Sequence, residues 1–191
     1  MLIVVGGEAR HVGKTAVAAA IIRAFPRRRW MAVKITRHAH GLPARGISLV
    51  EEQEEGETGT GRYLAAGAAR AFLVSSPAGK LPEALARLPW SRNSIFESTS
   101  AAELLRPDIY LMVLGPPGKP VKLPARKSRT RVDAFVSQWT RPSGLPGPFF
   151  SVQAPSFMSA DLRRFLYAAM RKLAATRSRP PASQPASMCP A

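Results

Sequence analysis

The fold is decided by one stretch of the chain, residues 2–15, which is Leu2-Ile3-Val4-Val5-Gly6-Gly7-Glu8-Ala9-Arg10-His11-Val12-Gly13-Lys14-Thr15. Its apolar start suits a buried strand, and the Ala-rich segment 16–25 suits a helix, which Pro26 ends. The loop between them is bounded by glycines and closes on Gly-Lys-Thr. The stretch therefore predicts a phosphate-binding loop between a strand and the N-terminus of a helix.

Three groups in this loop are placed to converge on the phosphates of a nucleotide. Free backbone N–H groups and the positive end of the helix dipole favour an anion at a helix N-terminus. The Lys14 side chain can reach the outer phosphates, and the Thr15 hydroxyl can become a ligand of Mg²⁺. We therefore predict that GTP or ATP binds here with Mg²⁺. The loop residues expected to contact the nucleotide are Gly7, Arg10, Val12, Gly13, Lys14, Thr15 and Ala16.

The spacing of the glycines departs from the common form of such loops. The usual pattern places a glycine six residues before the lysine, where this chain has Glu8. Gly7 is the nearest glycine, so the motif is G-x5-G-K-T, with one additional residue between the glycines. A Gly-rich turn followed by a lysine at a helix start, without phosphate binding, is the alternative interpretation.

Length and composition favour a single domain. The 191 residues, 46% of them hydrophobic, suffice for one sizeable core, and we predict one α/β domain over residues 1–175. Because Cys189 is the one cysteine, neither a disulfide framework nor a cysteine metal site can form within one chain. No apolar run approaches the roughly 18 residues that span a bilayer, and no basic segment precedes the first apolar run. We expect a cytoplasmic protein without a membrane partner.

The formal net charge of +16 is large for this length. It is also uneven, because from Lys119 onward thirteen Lys and Arg residues stand against Asp133 and Asp161 alone. Such a field attracts polyanions. Nucleic acid, nucleotides and phosphorylated cofactors are candidates, and an arginine-rich composition that reflects a GC-rich genome is the alternative.

Basic residues end the second predicted strand, residues 30–36. The strand contains Lys34, and Arg37, His38 and His40 come directly after it. Ligands of α/β proteins bind at the carboxyl edge of the sheet. Lys34 is therefore a candidate functional residue, against the alternative of an edge-strand lysine without a ligand. For the histidines, solvation in a loop is favoured over metal binding.

Residues 41–58 contain five glutamates and show no convincing period. We predict a mobile loop or lid here. Paired carboxylates can act as acids, bases or metal ligands, but a run of glutamates is more often a solvated face, and we favour that interpretation.

A second magnesium ligand is predicted at the end of a later strand. After a strand at residues 71–74 and a short helix at residues 81–88, a strand begins at Ser94 and ends at the acidic Glu97. P-loop proteins hold Mg²⁺ through a carboxylate at such a strand end, directly or through water. We therefore predict Thr15 and Glu97 as the protein ligands of Mg²⁺.

The remaining elements complete an α/β pattern, in which strands alternate with helices and imply a mostly parallel sheet covered on both faces. They are strands at 108–114, 132–137 and 149–152, a mobile Pro- and Lys-rich loop at 115–131 able to cover the site, a helix at 160–174 capped by Ser159, and a disordered tail at 176–191.

The G-x5-G-K-T loop resembles that of dethiobiotin synthetase, the cobyrinate amidases and the molybdopterin-guanine dinucleotide biosynthesis protein B (MobB) group. A second strand that ends in a functional lysine, as at Lys34, resembles both MobB and dethiobiotin synthetase, and the histidines after it resemble MobB more closely. MobB proteins also carry the form Asp-Thr/Ser-x-Arg-x-x-x-Ala-Gly-Ala, and this chain has Thr60, Arg62 and the run 66–68 in that register. Gly59 stands where the family has Asp.

The resemblance to MobB implies a P-loop NTPase fold, a three-layer sandwich with a mostly parallel sheet. It also implies a GTP-binding accessory protein of molybdenum-cofactor biosynthesis with slow hydrolysis. Lys14, Lys34 and Arg62 are implied as its catalytic groups and Thr60 as a further nucleotide contact. Expected partners are molybdopterin, another protein of that pathway, or a second copy of the chain.

Two other functions stay open. An ATP-dependent ligase of the dethiobiotin synthetase type would use the nucleotide to phosphorylate a carboxylate or carbamate held near Lys34. A basic nucleic-acid-binding module with a vestigial P-loop would use the charged C-terminal half. Against the second, the sequence shows no basic motif interleaved with aromatic residues.

Overall fold

The computed structural model describes residues 1–36 and 46–177, and in this part of the chain the strands join into one eight-stranded sheet. The strands are β1 (Leu2–Gly7), β2 (Met31–Thr36), β3 (Ser48–Glu52), β4 (Arg70–Ser75), β5 (Ser94–Glu97), β6 (Ile109–Val113), β7 (Ala134–Ser137) and β8 (Phe149–Ser151). The helices are α1 (Lys14–Ala24), α2 (Gly61–Ala65), α3 (Leu81–Ala86), α4 (Ala101–Leu105), α5 (Leu123–Ser128) and α6 (Ala160–Arg177).

The strand order places β1 in the middle of the sheet. The order is β3-β4-β2-β5-β1-β6-β7-β8, and the neighbouring pairs are parallel except β3 with β4, which is antiparallel. Val5 of β1 stands opposite Glu97 of β5, and Gly7 stands opposite Val113 of β6. The carboxyl ends of β5, β1 and β6 therefore meet where the phosphate loop begins. The predicted α/β fold with a mostly parallel sheet is confirmed.

Two apolar layers cover the sheet, one on each face. Side chains alternate along a strand, so Ile3 and Val5 of β1 pack on the layer that includes α1, α2 and α6. Val4 faces the opposite layer, which includes residues of α3, α4 and α5. The molecule is thus an α/β/α sandwich with its core on both sides of the sheet. None of the helices in the described ranges has the length and hydrophobicity needed to cross a bilayer.

Most of the predicted elements lie where the sequence pattern places them. Leu162 donates its backbone N–H to the Ser159 hydroxyl at 3.2 Å, as expected for the cap of α6, and this helix continues to Arg177. The predicted strand at 132–137 begins later, at Ala134, and the side chain of Asp133 just before it accepts the backbone N–H of Tyr110 at 2.7 Å.

Two segments predicted as loops contain regular structure. The prediction for 41–58 is wrong in its second half, where β3 forms the antiparallel edge of the sheet and Glu51 pairs with Arg70 across it. The prediction for 115–131 misses α5, which begins after Lys122. The sequence pattern also misses the short helix α4. Arg37, His38, His40 and the tail beyond Arg177 lie outside the described residues.

Candidate functional site

The phosphate loop joins β1 to α1 and leaves the start of that helix open. Gly13 precedes the helix in a left-handed conformation, with φ of +95°, which glycine adopts without strain. No described side chain caps α1, and its first turn carries no acidic residue. The N–H groups of this turn are therefore oriented toward the loop, where an anion can accept their hydrogen bonds.

Lys14 is folded back against the loop that precedes it. Its Nζ donates to the carbonyl of Ala9 at 3.3 Å. A side chain at Gly7 would place its Cβ 2.8 Å from both Lys14 Cδ and Val12 Cγ2, so only glycine leaves room for this arrangement. Burial lowers the pKa of Lys14, Glu97 opposes the shift, and the ammonium groups of Lys34 and Lys119 add to it. A phosphate at this point would supply the negative charge that the buried ammonium lacks.

Four polar side chains from four different elements meet beside the helix start, and we call them the central cluster: Thr15, Lys34, Tyr63 and Glu97. The carboxylate of Glu97 is the centre. Its Oε2 accepts the Thr15 hydroxyl at 2.6 Å and the Tyr63 hydroxyl at 2.5 Å. Lys34 Nζ lies 3.6 Å from the same oxygen and 3.3 Å from Thr15 Oγ1. The predicted neighbours Thr15, Lys34 and Glu97 are thus brought together.

Tyr63 is a member of this cluster that sequence reasoning missed. Its ring is 1% exposed and its hydroxyl lies in the interior. Burial raises the pKa of Tyr63 well above its ordinary value, and the negative charge of Glu97 raises it further. The phenol therefore stays neutral and donates to Glu97. In the sequence, Tyr63 is one aromatic residue in an Ala-rich segment, and only the packing of α2 against α1 shows its role.

The donor set of the central cluster fits Mg²⁺. A hydroxyl and a carboxylate oxygen are the hard ligands that this ion prefers, and it commonly keeps several waters and takes phosphate oxygens as further ligands. The described residues hold no group of three or more His, Cys, Asp or Glu side chains able to bind a metal. Thr15 and Glu97 are the described side chains that could hold the ion together with the nucleotide.

Gly59 provides the space that Lys34 occupies. A Cβ at position 59 would lie 2.8 Å from Lys34 Cδ and 3.0 Å from Lys34 Cε. The aspartate that MobB proteins carry at this position would therefore collide with the observed lysine conformation. A side chain at position 59 would therefore require Lys34 to adopt another rotamer.

Glu8, which replaces the usual glycine, connects the phosphate loop to the segment 115–131 through hydrogen bonds. Its carboxylate is 7% exposed and accepts the Gly115 backbone N–H at 3.2 Å, and its backbone carbonyl accepts the Lys122 N–H at 2.9 Å. Arg129 Nη2 lies 3.3 Å from Glu8 Oε1 as an ion pair without hydrogen-bond geometry. The segment therefore contacts the phosphate loop, and its role in covering the site stays a prediction.

Lys119 is a second residue that sequence reasoning missed. It lies in the turn after β6, and its Nζ donates to the carbonyl of Arg10 at 3.1 Å. Together with Lys14 and Lys34 it places a third ammonium group at the loop. The one sequence signal is its position shortly after a strand, in the run Pro116-Pro117-Gly118-Lys119.

Two predicted site residues lie in a different group at the antiparallel edge, which we call the edge cluster: Glu51, Glu52, Glu57, Thr60, Arg62 and Arg70. The Thr60 hydroxyl donates to Glu52 Oε2 at 2.8 Å, which lowers the pKa of Glu52. Arg62 donates to Glu57 at 2.5 Å, with 54% of its side chain exposed. The structure does not join Arg62 to the central cluster, so its catalytic role stays a prediction.

The remaining loop residues differ in what they offer a nucleotide. Val12 is 1% exposed, so its contribution would come from the backbone. Arg10 is exposed at the rim of the loop, and Ala16 lies in the open first turn of α1.

No protein-family model matches the chain, and no curated protein matches it in sequence. Among solved structures, the chain aligns with LpxK from Aquifex aeolicus, described as the "apo" form in complex with ATP. The identity is 18% and the TM-score 0.49, over 78% of this chain and 53% of the other, so this chain spans about half the length of that protein. A likeness this low carries no argument about function, which therefore depends on the site itself.

Proposed function

We propose that the protein binds a nucleoside triphosphate with Mg²⁺ at the phosphate loop and, when alone, hydrolyses it slowly. One observation carries the proposal: the Thr15 hydroxyl and the Glu97 carboxylate lie 2.6 Å apart beside the uncapped N-terminus of α1. A hydroxyl on the helix and an acid on the neighbouring strand are the two protein groups that a phosphate-bound Mg²⁺ needs.

Each group of the site has a distinct part in binding. The N–H groups of the loop and of the first turn of α1 donate to the phosphate oxygens, and Lys14 adds a charged hydrogen bond. Thr15 and Glu97 would hold Mg²⁺, which neutralises charge on the outer phosphates. Lys34, whose ammonium group lies 3.3 Å from Thr15 Oγ1, would add positive charge beside the outer phosphates.

We expect slow turnover because the described carboxylates near the phosphate loop already accept hydrogen bonds from other groups. Rapid hydrolysis requires a group that positions the attacking water. Glu97 is engaged by Thr15 and Tyr63, and Glu8 is engaged by Gly115. Gly59 offers no side chain where the MobB family has an acid. We expect faster chemistry only with a partner or a second substrate.

The resemblance to MobB extends the proposal to a more specific role. We propose GTP as the nucleotide and molybdenum-cofactor biosynthesis as the pathway, with molybdopterin or a protein of that pathway as the partner. This part depends on the family motif at the loop, on Lys34 and on Thr60 to Ala68. A preference for GTP over ATP, together with binding of molybdopterin, would support it, and equal binding of both nucleotides without molybdopterin binding would contradict it.

Calorimetry with ATP and GTP, each with and without Mg²⁺, tests nucleotide binding. Lys14→Ala removes a charged hydrogen bond worth about 1.5–3 kcal/mol, so affinity should fall by about ten- to a hundredfold while the circular dichroism spectrum stays unchanged. Lys172→Ala, at an exposed position of α6, is the matched control and should bind as the wild type does. Unchanged affinity in Lys14→Ala would contradict the proposal.

A steady-state assay of the purified protein at saturating Mg²⁺ tests the rate. We expect turnover well below the typical enzyme median of about 10 s⁻¹. A rate at or above that median would show that the site is complete without a partner.

A further inference from the structure

A cavity of about 730 Å³ lies at the other end of α1 from the phosphate loop. It is formed by the end of that helix, the turn after it, and one face of α6. Its apolar lining includes Phe25 and the buried Met170. Because α1 has 11 residues, its two ends are separated by about 16 Å, so a molecule in this cavity would not touch the nucleotide site.

Arginines from two distant parts of the sequence surround the cavity. Arg27 and Arg28 come from the turn after α1, and Arg163 and Arg164 come from the start of α6. Arg164 pairs with Asp161. In the described ranges 1–36 and 46–177, no carboxylate forms an ion pair with the other three. The cavity therefore concentrates positive charge that the described part of the protein does not neutralise.

An exposed aromatic ring stands within this charge. Tyr167 lines the cavity and is 56% exposed, which is high for so large a ring. Arg163, Tyr167 and Arg171 follow one another at intervals of four and share one face of α6, so the folded helix interleaves arginine with an aromatic ring, contrary to the expectation from the sequence. The Arg171 guanidinium lies 5.9 Å from the centre of the Tyr167 ring. Arg171 thus lies over one side of the ring, and the rest of the ring is accessible for stacking.

We propose that this surface binds single-stranded nucleic acid, with a base in the cavity against Tyr167 and the flanking phosphates on Arg28 and Arg163. Guanidinium groups match phosphate geometry, and base stacking on aromatic rings is the usual device of sequence-tolerant single-strand binding. An intact duplex offers no unstacked base to the ring. A flat anionic membrane would leave a concave cavity empty, and an acidic peptide has no base to stack. The surface is independent of the proposed nucleotide site.

The experiment measures, by fluorescence anisotropy at several salt concentrations, the binding of a fluorescent oligothymidine of twelve nucleotides to the full chain. Tyr167→Ala should weaken binding between about five- and a hundredfold, and Tyr167→Phe, which keeps the ring, should retain it. The double variant Arg28→Ala/Arg163→Ala should weaken binding and reduce the salt dependence, by about 0.7 in logarithmic slope for each phosphate that the variant no longer neutralises. Since these positions are distant from the loop, all variants should keep the wild-type nucleotide affinity.

The control is the double variant Arg126→Ala/Lys127→Ala, which removes two exposed cations from α5 on the opposite face of the sheet. It should leave oligonucleotide binding within about twofold of the wild type. Duplex DNA, polyglutamate and vesicles of anionic lipid serve as competitors and should compete poorly. The proposal is overturned if the oligonucleotide does not bind, if Tyr167→Ala binds as the wild type does, if the α5 control loses as much affinity, or if any competitor displaces the single strand equally well.

Discussion

The central cluster and the edge cluster are built from the same kinds of side chain and differ in where the fold places them. Each combines glutamate with a cation and a threonine hydroxyl. In the central cluster, the side chain of Glu97 is 8% exposed, and its carboxylate accepts hydrogen bonds from hydroxyl groups on two helices. In the edge cluster, Glu57 is 92% exposed and its partner Arg62 is 54% exposed. The central cluster lies between helices and sheet, whereas the Glu57–Arg62 pair of the edge cluster lies in water although Thr60 beside it is buried.

Burial decides how much these contacts contribute to the free energy of folding. An ion pair between exposed groups contributes little, since water and salt screen it and two long side chains lose freedom. A buried carboxylate is costly unless hydrogen bonds and a nearby positive charge offset the loss of water. The central cluster should therefore respond strongly to the loss of any member, and the edge cluster should respond weakly.

Glu97→Gln should have the largest effect. The substitution removes the negative charge that would hold Mg²⁺ and keeps the shape of the side chain. We expect the affinity for nucleotide in the presence of Mg²⁺ to fall by about ten- to a hundredfold, with Mg²⁺-independent binding spared. Calorimetry with and without Mg²⁺ separates the two. If both affinities decline equally, Glu97 is a structural residue and the proposed metal role is wrong.

Tyr63→Phe should have an intermediate effect. It deletes a buried hydroxyl and leaves Glu97 Oε2 with one hydrogen-bond donor fewer. We expect the free energy of unfolding to fall by about 1–3 kcal/mol, measured by urea denaturation. The m value should not change, because the surface exposed on unfolding is the same. A variant as stable as the wild type would show that the Tyr63 contact contributes nothing to Glu97.

The same variant should change the dependence of stability on pH. Because the pKa of Tyr63 is raised in the folded protein, its contribution is complete below the pKa of the unfolded phenol and is lost as the pH rises above it. The wild type should therefore lose more stability than Tyr63→Phe between about pH 9 and about pH 11. Lys14 and Tyr110 titrate in both proteins, so the difference isolates Tyr63. Parallel pH profiles would contradict the assignment.

Arg62→Ala should have the smallest effect. It breaks an exposed ion pair with Glu57, and we expect a change in unfolding free energy of less than about 0.5 kcal/mol and no change in nucleotide affinity. Urea denaturation and calorimetry measure the two quantities. A tenfold loss of turnover in this variant would restore Arg62 to the catalytic set that the family resemblance implies.

The sequence predicts the part of the site that is local along the chain. Lys14 and Thr15 follow Gly13 at the end of the loop after β1, so their positions at a helix N-terminus follow from the motif. Glu97 is predictable because it ends a strand, and parallel strands place their ends at one edge. The contact of Tyr63 with Glu97 is different, because it requires α2 to cross the end of β5, which no local pattern shows.

The contacts that the sequence does not predict have a common physical cause. The glutamates of β3 obscure the apolar pattern typical of a strand. Glu51 is tolerated there because it forms an ion pair with Arg70 on the neighbouring strand. Glu8 contacts Gly115 and Lys119 contacts Arg10 because β6 lies beside β1, which depends on the order of the whole sheet. The arginines around the cavity likewise gather only when α6 packs beside the end of α1. Each of these contacts joins residues that are distant along the chain.

The central position of β1 has a consequence for how the protein is made. Leu2 pairs with Ser94 and Ile3 pairs with Ile109, so the strand that leads into the phosphate loop is synthesised long before either neighbour. At about 5–20 residues per second, β1 waits roughly 5–20 s for both partners. During that time its apolar residues have no sheet to join, and the phosphate loop has no fixed strand behind it. The strand that leads into the phosphate loop therefore gains its place in the sheet only after residues 94–113 have been synthesised.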